Sequence, residues 1–353
     1  MSQTTQGGPE RLKVSISMGE TAITLFGVNT RDYYFDSDVM ADVEARFWER
    51  FQPDGAGISL TLRGMAEAMG SEMFYKNHCI PSVKTPRVRK PEDVYELRVP
   101  DPLKDGRLPI VLEALVKLKE RLDGKTGVGA GMAGPVSVAI AVCGAENFLR
   151  WTRRHPDEIR HMMEIITEGN NRYIDELGKR GIVGLSFSDP VASTDLLGYK
   201  QFLEFSLPYF TENVRHGGKV LGKNPGTHIC GHTRGIWEDI MGSGVSAFSV
   251  DNVEDLAEAK EVMGNSVALI GNVPPVNVLN LGKEEDIKRS VAECILKAHD
   301  SPKGYVLGSG CQVPLFTPAE NVEAYVRWGK ELGKLPIDIE RLQRIAEGDG
   351  AAA

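Results

Sequence analysis

The sequence predicts an α/β protein folded as one (β/α)8 TIM barrel, with an N-terminal extension and a proline-rich insertion. Three observations carry this. A short apolar run of strand type followed by a helical segment recurs at least six times after Thr126, the alternation that builds a parallel sheet. Strand-type runs near residues 24, 58, 128, 184, 228, 247, 268 and 306 bring the count to about eight, the number that closes a parallel barrel. No linker rich in Pro, Gly or Ser divides the 353 residues, so they read as one domain of a size that barrels reach alone.

The elements follow in order. Residues 1–20 are expected to be a flexible segment, 21–345 the barrel domain and 346–353 a disordered tail. The region Phe74 to Gly106 contains Pro81, Pro86, Pro91, Pro100 and Pro102 and fits neither the helix nor the strand period, so it reads as an insertion decorating the barrel. From Asp157 to Lys179 the apolar positions Ile159, Met162, Met163, Ile166, Tyr173 and Leu177 mark one helix face, entered at Pro156 and closed at Gly181. Ile182 to Phe187 is a buried-strand run. Val245 to Val250 precedes a helix from about Val253 to Met263, and Val267 to Gly271 precedes one from Lys283 to about His299. Tyr305 to Leu307 opens the last unit, whose helix is expected to start with a capping box formed by Thr317 and Glu320.

Composition narrows the function. Hydrophobic residues at 41% and charged residues at 25% are globular proportions. With 41 basic against 49 acidic residues, a net charge of −8, the chain lacks the electrostatic footprint of a nucleic-acid binder. Apolar runs such as Val136 to Cys143 fall well short of the roughly 18 to 20 residues of a bilayer span, and Met1 to Lys13 holds no apolar signal core. A cytoplasmic protein without membrane contact is expected, and a homodimer is compatible with the sequence. Five scattered cysteines suit free thiols or metal ligands rather than a disulfide framework.

In a barrel, residues just after each strand face a common mouth. These are Thr61 and Arg63, Gly131 to Pro135, Ser188 and Asp189, His228 and Cys230, Asp251 and Asn252, Asn272, Cys311 and Gln312. His228 and Cys230 are one residue apart at a strand end, so the strand period of two turns both side chains to the same side, where they can chelate a metal. Cys311 holds the matching place on the last strand. One imidazole and two thiolates suit zinc, and three protein ligands leave the fourth position for a reactant. Asp189 and Asn272 are candidate substrate contacts, each against the plainer alternative of a cap or turn role, and Gln312, next to Cys311, is a candidate for the open metal position or a substrate contact. Asp251 and Asn252 read as partners of His228 or, more simply, as the N-cap of the next helix. Gly129 to Gly134 fits G-x-G-x-x-G, but Asp123 to Gly127 before it is too polar for a dinucleotide-binding strand. Gly131 and Gly134 are instead expected to let the backbone approach a cofactor or ligand at the mouth. Cys143 and Cys294 lie among apolar neighbours as packing thiols.

Gly226 to Thr233 (GTHICGHT), Gly131 to Pro135 (GMAGP) and Ser188 to Pro190 (SDP) resemble the uroporphyrinogen decarboxylase superfamily, specifically its cobalamin-dependent methyltransferase branch. The likeness runs from about Gly127 to Gly333. It implies an eight-stranded barrel and matches His228, Cys230 and Cys311 to that branch's zinc ligands and catalytic centre. It also implies methyl transfer to or from the cobalt of a separate corrinoid protein, with a small-molecule methyl donor. The arginine-rich segment by which the decarboxylases grip substrate carboxylates is not found here. Phe187 and Phe248 beside strand ends, with Thr30 to Phe35, point to an apolar pocket over the metal. That pocket favours demethylation of a methoxylated aromatic by cobalt(I). The alternatives are methyl transfer from methylcobamide to a coenzyme M-like thiol, a metal-free uroporphyrinogen decarboxylase, or a non-catalytic protein that holds a tetrapyrrole or corrinoid.

Overall fold

The computed structural model of the chain describes residues 10–348. Its strands are β1 (Lys13–Val14), β2 (Ala56–Ser59), β3 (Glu72–Phe74), β4 (Ser82–Thr85), β5 (Val128–Ala133), β6 (Gly184–Ser188), β7 (Gly226–His228), β8 (Ala247–Ser249), β9 (Ala268–Val273) and β10 (Tyr305–Ser309). Eight of them form one parallel sheet in the order β1-β10-β9-β8-β7-β6-β5-β2, while β3 and β4 pair as an antiparallel hairpin. This is the (β/α)8 barrel, and the hairpin is the core of the proline-rich insertion. The seam between β1 and β2 is fastened by Asp54. Its N–H donates to the Val14 carbonyl at 2.8 Å, and its carboxylate accepts the Val14 N–H at 2.7 Å and both terminal nitrogens of Arg11.

The helix layer forms where apolar periodicity demands it. Pro156–Lys179 is a helix whose Ile159, Met162, Met163, Ile166, Tyr173 and Leu177 are fully buried, the aliphatic and methionine side chains each contributing roughly 1.5 to 3 kcal/mol through removal from water. The expected units of β8 and β9 are present, with helices at Leu256–Met263 and Glu284–Ala298. No helix of the described residues is long and apolar enough to cross a membrane.

The N-terminal part departs from expectation. No strand lies near residue 24: Thr21–Leu25 is a short helix that buries Ala22 and Ile23. The first barrel strand is Lys13–Val14, paired with Val306 and Leu307. Residues 10–20 are therefore built into the barrel rather than forming a flexible extension, and residues 1–9 of that expected segment lie outside the described residues. At the other end the helix Ile339–Glu347 continues two residues past 345, and residues 349–353 of the expected tail also lie outside them. The expected capping box is absent too. The final barrel helix, Ala319–Leu332, has Pro318 as its N-cap, because the Thr317 hydroxyl donates to the Pro314 carbonyl at 2.9 Å and lies 3.2 Å from Asn280 Oδ1.

Candidate metal centre

Parallel pairing sets Ser188, His228 and Ser249 side by side on β6, β7 and β8, and sets Phe187, Thr227 and Phe248 in the next row. Alternate residues face opposite sides, so the two rows cannot share the mouth. Phe187 packs edge-on against Phe210 of the outer helix Leu207–Leu221, with ring centroids 5.6 Å apart, and Phe248 is fully buried. Both rings fill the layer between barrel and helices and line no substrate pocket. The tyrosines of Thr30–Phe35 are engaged as well: Tyr33 donates to Glu44 at 2.6 Å and Tyr34 to Glu20 at 2.7 Å.

The other row carries the chemistry. His228 Nδ1 lies 3.1 Å from both the carbonyl and the hydroxyl oxygen of Ser249. A proton on Nδ1 donated to that carbonyl leaves the Nε2 lone pair free for a metal. Nε2 lies 3.2 Å from Cys230 Sγ, which lies 3.4 Å from Cys311 Sγ. Asp251 completes a group of four donors whose ligand atoms lie within 4.8 Å of one another. Zinc bonds of about 2.3 Å to sulfur and about 2.0 Å to nitrogen put tetrahedral donors about 3.5 to 3.8 Å apart. The observed spacings fall short of this by a few tenths of an ångström, so His228, Cys230 and Cys311 could hold zinc with small rotamer adjustments. Cys311 is the sulfur that ionises first: its thiolate accepts the Cys230 hydrogen bond, which outweighs burial, and His228 adds to the effect. The same hydrogen bond, with burial, pushes the Cys230 thiol up. For His228 burial opposes the imidazolium, but Cys311, the Ser249 carbonyl and Asp251 together raise its pKa.

The remaining expected contacts serve the frame. Asp189 is buried, and its carboxylate accepts the Val136 N–H at 3.2 Å, the Ser137 N–H at 2.8 Å and the Ser137 hydroxyl at 2.6 Å. It thus caps the helix Pro135–Cys143 instead of meeting substrate, and burial pushes its carboxyl up to about 6 despite these bonds. A Cβ on Gly134 would sit 2.3 Å from Asp189 Oδ2, and one on Gly131 would sit 3.0 Å from Ser59 Oγ. Both glycines therefore accommodate neighbouring side chains. Asn272 is buried, and its amide nitrogen donates to the carbonyls of Asp251 at 3.1 Å and Glu254 at 2.9 Å. Gln312 donates to Glu20 Oε2 at 2.8 Å. Both amide nitrogens are thus engaged by protein groups.

Asp251 was expected as a helix cap, but Asp255 caps Leu256–Met263. Asp251 instead accepts the Gly231 N–H at 2.9 Å and the Val253 N–H at 3.0 Å while facing the two sulfurs. Its place just beyond β8 was the available signal. Ser249, Glu20 and Glu254, which support the donors, left no motif.

The uroporphyrinogen decarboxylase (URO-D) family model matches residues 7–332. The chain belongs to that family. Among its relatives in the URO-D family, the methylated-thiol–coenzyme M methyltransferase of Methanosarcina mazei is 31% identical over 299 residues, covering 84% of this chain and 78% of the relative. The methylcobamide:CoM methyltransferase MtaA of Methanosarcina barkeri is 30% identical over 296 residues, covering 82% and 83%. A solved methyltransferase structure from Methanosarcina mazei superposes with a TM-score of 0.82 at 26% identity, over 92% of this chain and 95% of that one. The methyltransferase branch that the sequence motifs resemble is where these relatives fall.

Proposed function

We propose that the protein is a methyltransferase that moves a methyl group from a corrinoid carried by a partner protein to a small thiol held at a zinc site. The observation that carries this reading is the convergence of His228, Cys230 and Cys311, whose neighbouring donor atoms lie 3.2 and 3.4 Å apart at the barrel mouth. The relatives named for methylcobamide and coenzyme M support a thiol acceptor of the coenzyme M type. A methoxylated aromatic donor loses its basis, because Phe187 and Phe248 face the helix layer. A metal-free decarboxylase would leave the four-donor group without a task.

His228, Cys230 and Cys311 would hold the zinc, which would supply a Lewis acid to keep an incoming thiol in its nucleophilic thiolate form near neutral pH. Ser249 fixes the imidazole. Asp251 holds the backbone directly after Cys230 and keeps a carboxylate beside the position the thiol would take. The thiol proton leaves to solvent, the sulfur bonds to the methyl carbon, and the bond from that carbon to the corrinoid breaks with its electron pair staying on the corrinoid. Leu196, Tyr199, Val253, Val276 and Phe316 are exposed on the loops and short helical segments that follow β6, β8, β9 and β10. These apolar side chains ring the face on which a corrinoid protein would have to dock.

The test is to measure zinc per chain, then follow the absorbance of a methylated corrinoid protein as thiols or methoxyarenes are added. Thiol-dependent demethylation of the corrinoid is expected. Methylation of cobalt(I) by an aromatic ether, with no response to thiols, would overturn the reading.

A further inference from the structure

Each of the four residues after Cys230 donates its backbone N–H to a carboxylate. Gly231 donates to Asp251 at 2.9 Å and His232 to Asp195 at 2.9 Å; Thr233 and Arg234 both donate to Glu254 Oε1, the latter at 3.0 Å. The Thr233 hydroxyl also reaches Glu254 Oε1 at 3.3 Å and accepts the Trp237 indole N–H at 2.9 Å. One carboxylate oxygen thus closes the turn on which the Cys230 sulfur is mounted. Arg234 directs its guanidinium to Glu258, so it is the backbone of the turn, not this side-chain charge, that Glu254 engages. Glu254 is itself fixed: its N–H donates to the Asp251 carbonyl at 3.1 Å, and its carbonyl accepts the buried Asn272 amide at 2.9 Å. Asp195, by contrast, is half exposed and shares its carboxylate with the His232 ring.

We propose that Glu254 is a positioning residue for Cys230, holding its sulfur where it converges with His228 and Cys311 through acceptor geometry rather than charge. The inference rests on the zinc reading above. Without the acceptor, two adjacent N–H groups lose their partner, the turn opens, and the sulfur leaves the donor set. Outer partners of this kind are worth about 10- to 100-fold in metal affinity.

The test compares Glu254→Ala, Glu254→Gln and Glu254→Asp. Zinc affinity is measured by chelator competition, and the thiolate-to-metal charge-transfer band is recorded after cobalt(II) substitution. Thermal unfolding of the metal-free proteins checks the fold. Gln keeps an oxygen at the same reach, so it should bind zinc within a few-fold of the wild type and retain the band. Asp keeps the charge but is one methylene shorter, so it should lose about 10-fold or more, as Ala does. If Ala fails to fold, the Gln and Asp pair still decides. Wild-type affinity in Asp with a loss in Gln, or wild-type affinity in both, overturns the proposal. A wild-type protein that binds no zinc would overturn the metal reading itself, a failure visible before any variant is compared.

Discussion

The loop carrying Cys230 follows β7 and is held by side chains of its neighbours in the sheet, Asp195 beyond β6 and Asp251 and Glu254 beyond β8. The loop carrying Cys311 follows β10 and is held by the N-terminal segment. Val313 donates its N–H to the Ser17 carbonyl at 2.8 Å, its carbonyl accepts the Thr21 hydroxyl at 2.5 Å, and Gln312 bonds Glu20. Ser17 in turn donates its N–H to the Ser309 hydroxyl at 3.1 Å. One sulfur is thus steadied by side-chain carboxylates on backbone N–H groups, the other largely by contacts with chain about 290 residues earlier. The donor group therefore closes only when the first and last strands of the barrel meet, because β1 pairs with β10 and leads into the segment that holds the Cys311 loop.

The strongest way to break this contrast is to remove residues 1–20. That deletion takes away β1 and two partners of the Cys311 loop, Ser17 and Glu20, so bound zinc should fall from about one per chain to near zero and cooperative thermal unfolding should be lost. Full zinc in the shortened chain would show the N-terminal support to be dispensable. Next in size, Cys230→Ala and Cys311→Ala should each abolish stoichiometric zinc while leaving the metal-free protein folded, as read by circular dichroism. Either variant retaining a full complement would detach that sulfur from the site.

A smaller effect sharpens the comparison. Gln312→Ala should weaken zinc by about 10-fold, and combined with Glu254→Ala the losses should add within about 0.5 kcal/mol, since Gln312 and Glu254 share no hydrogen-bond partner. Strong non-additivity in chelator competition would show them to be one unit. The smallest effect concerns the helix Ser37–Phe51, where burial pushes the Glu44 carboxyl up to about 7 although the Tyr33 hydroxyl bond opposes the shift. From its ordinary value of 4.5 up to about 7 the folded chain holds this proton and the unfolded chain has lost it. This group's contribution to stability therefore declines as pH rises through that window. Denaturant titrations should show that decline in the wild type and a flatter profile in Glu44→Gln; equal slopes would place Glu44 in solvent.

Pro156–Lys179 and Glu284–Ala298 were legible because each is a long helix with a clear apolar face, and β9 and β10 because their strand runs hold several apolar residues. His228 and Cys230 were legible for the same reason, since a one-residue gap at a strand end fixes two side chains on one side. β1 was hidden because it contributes only two ladder residues, too few for a period to register, and the apolar run near residue 24 that seemed to replace it is helical. The roles of Asp189, Asn272 and Gln312 were hidden because each partner lies far along the chain or on another loop: Ser137, Glu254 and Glu20. Strand-end position marks a residue as near the mouth, but only tertiary contact decides whether it faces the reactant or braces a neighbour.

Under the proposed function, two sulfurs and one imidazole from this chain share one zinc ion with room for a thiol. X-ray absorption at the zinc edge tests it directly. The account requires two sulfur neighbours at about 2.3 Å and a nitrogen at about 2.0 Å in the loaded protein, with a third sulfur appearing when the thiol is added. A shell with fewer than two sulfurs, or one that thiol leaves unchanged, would contradict it.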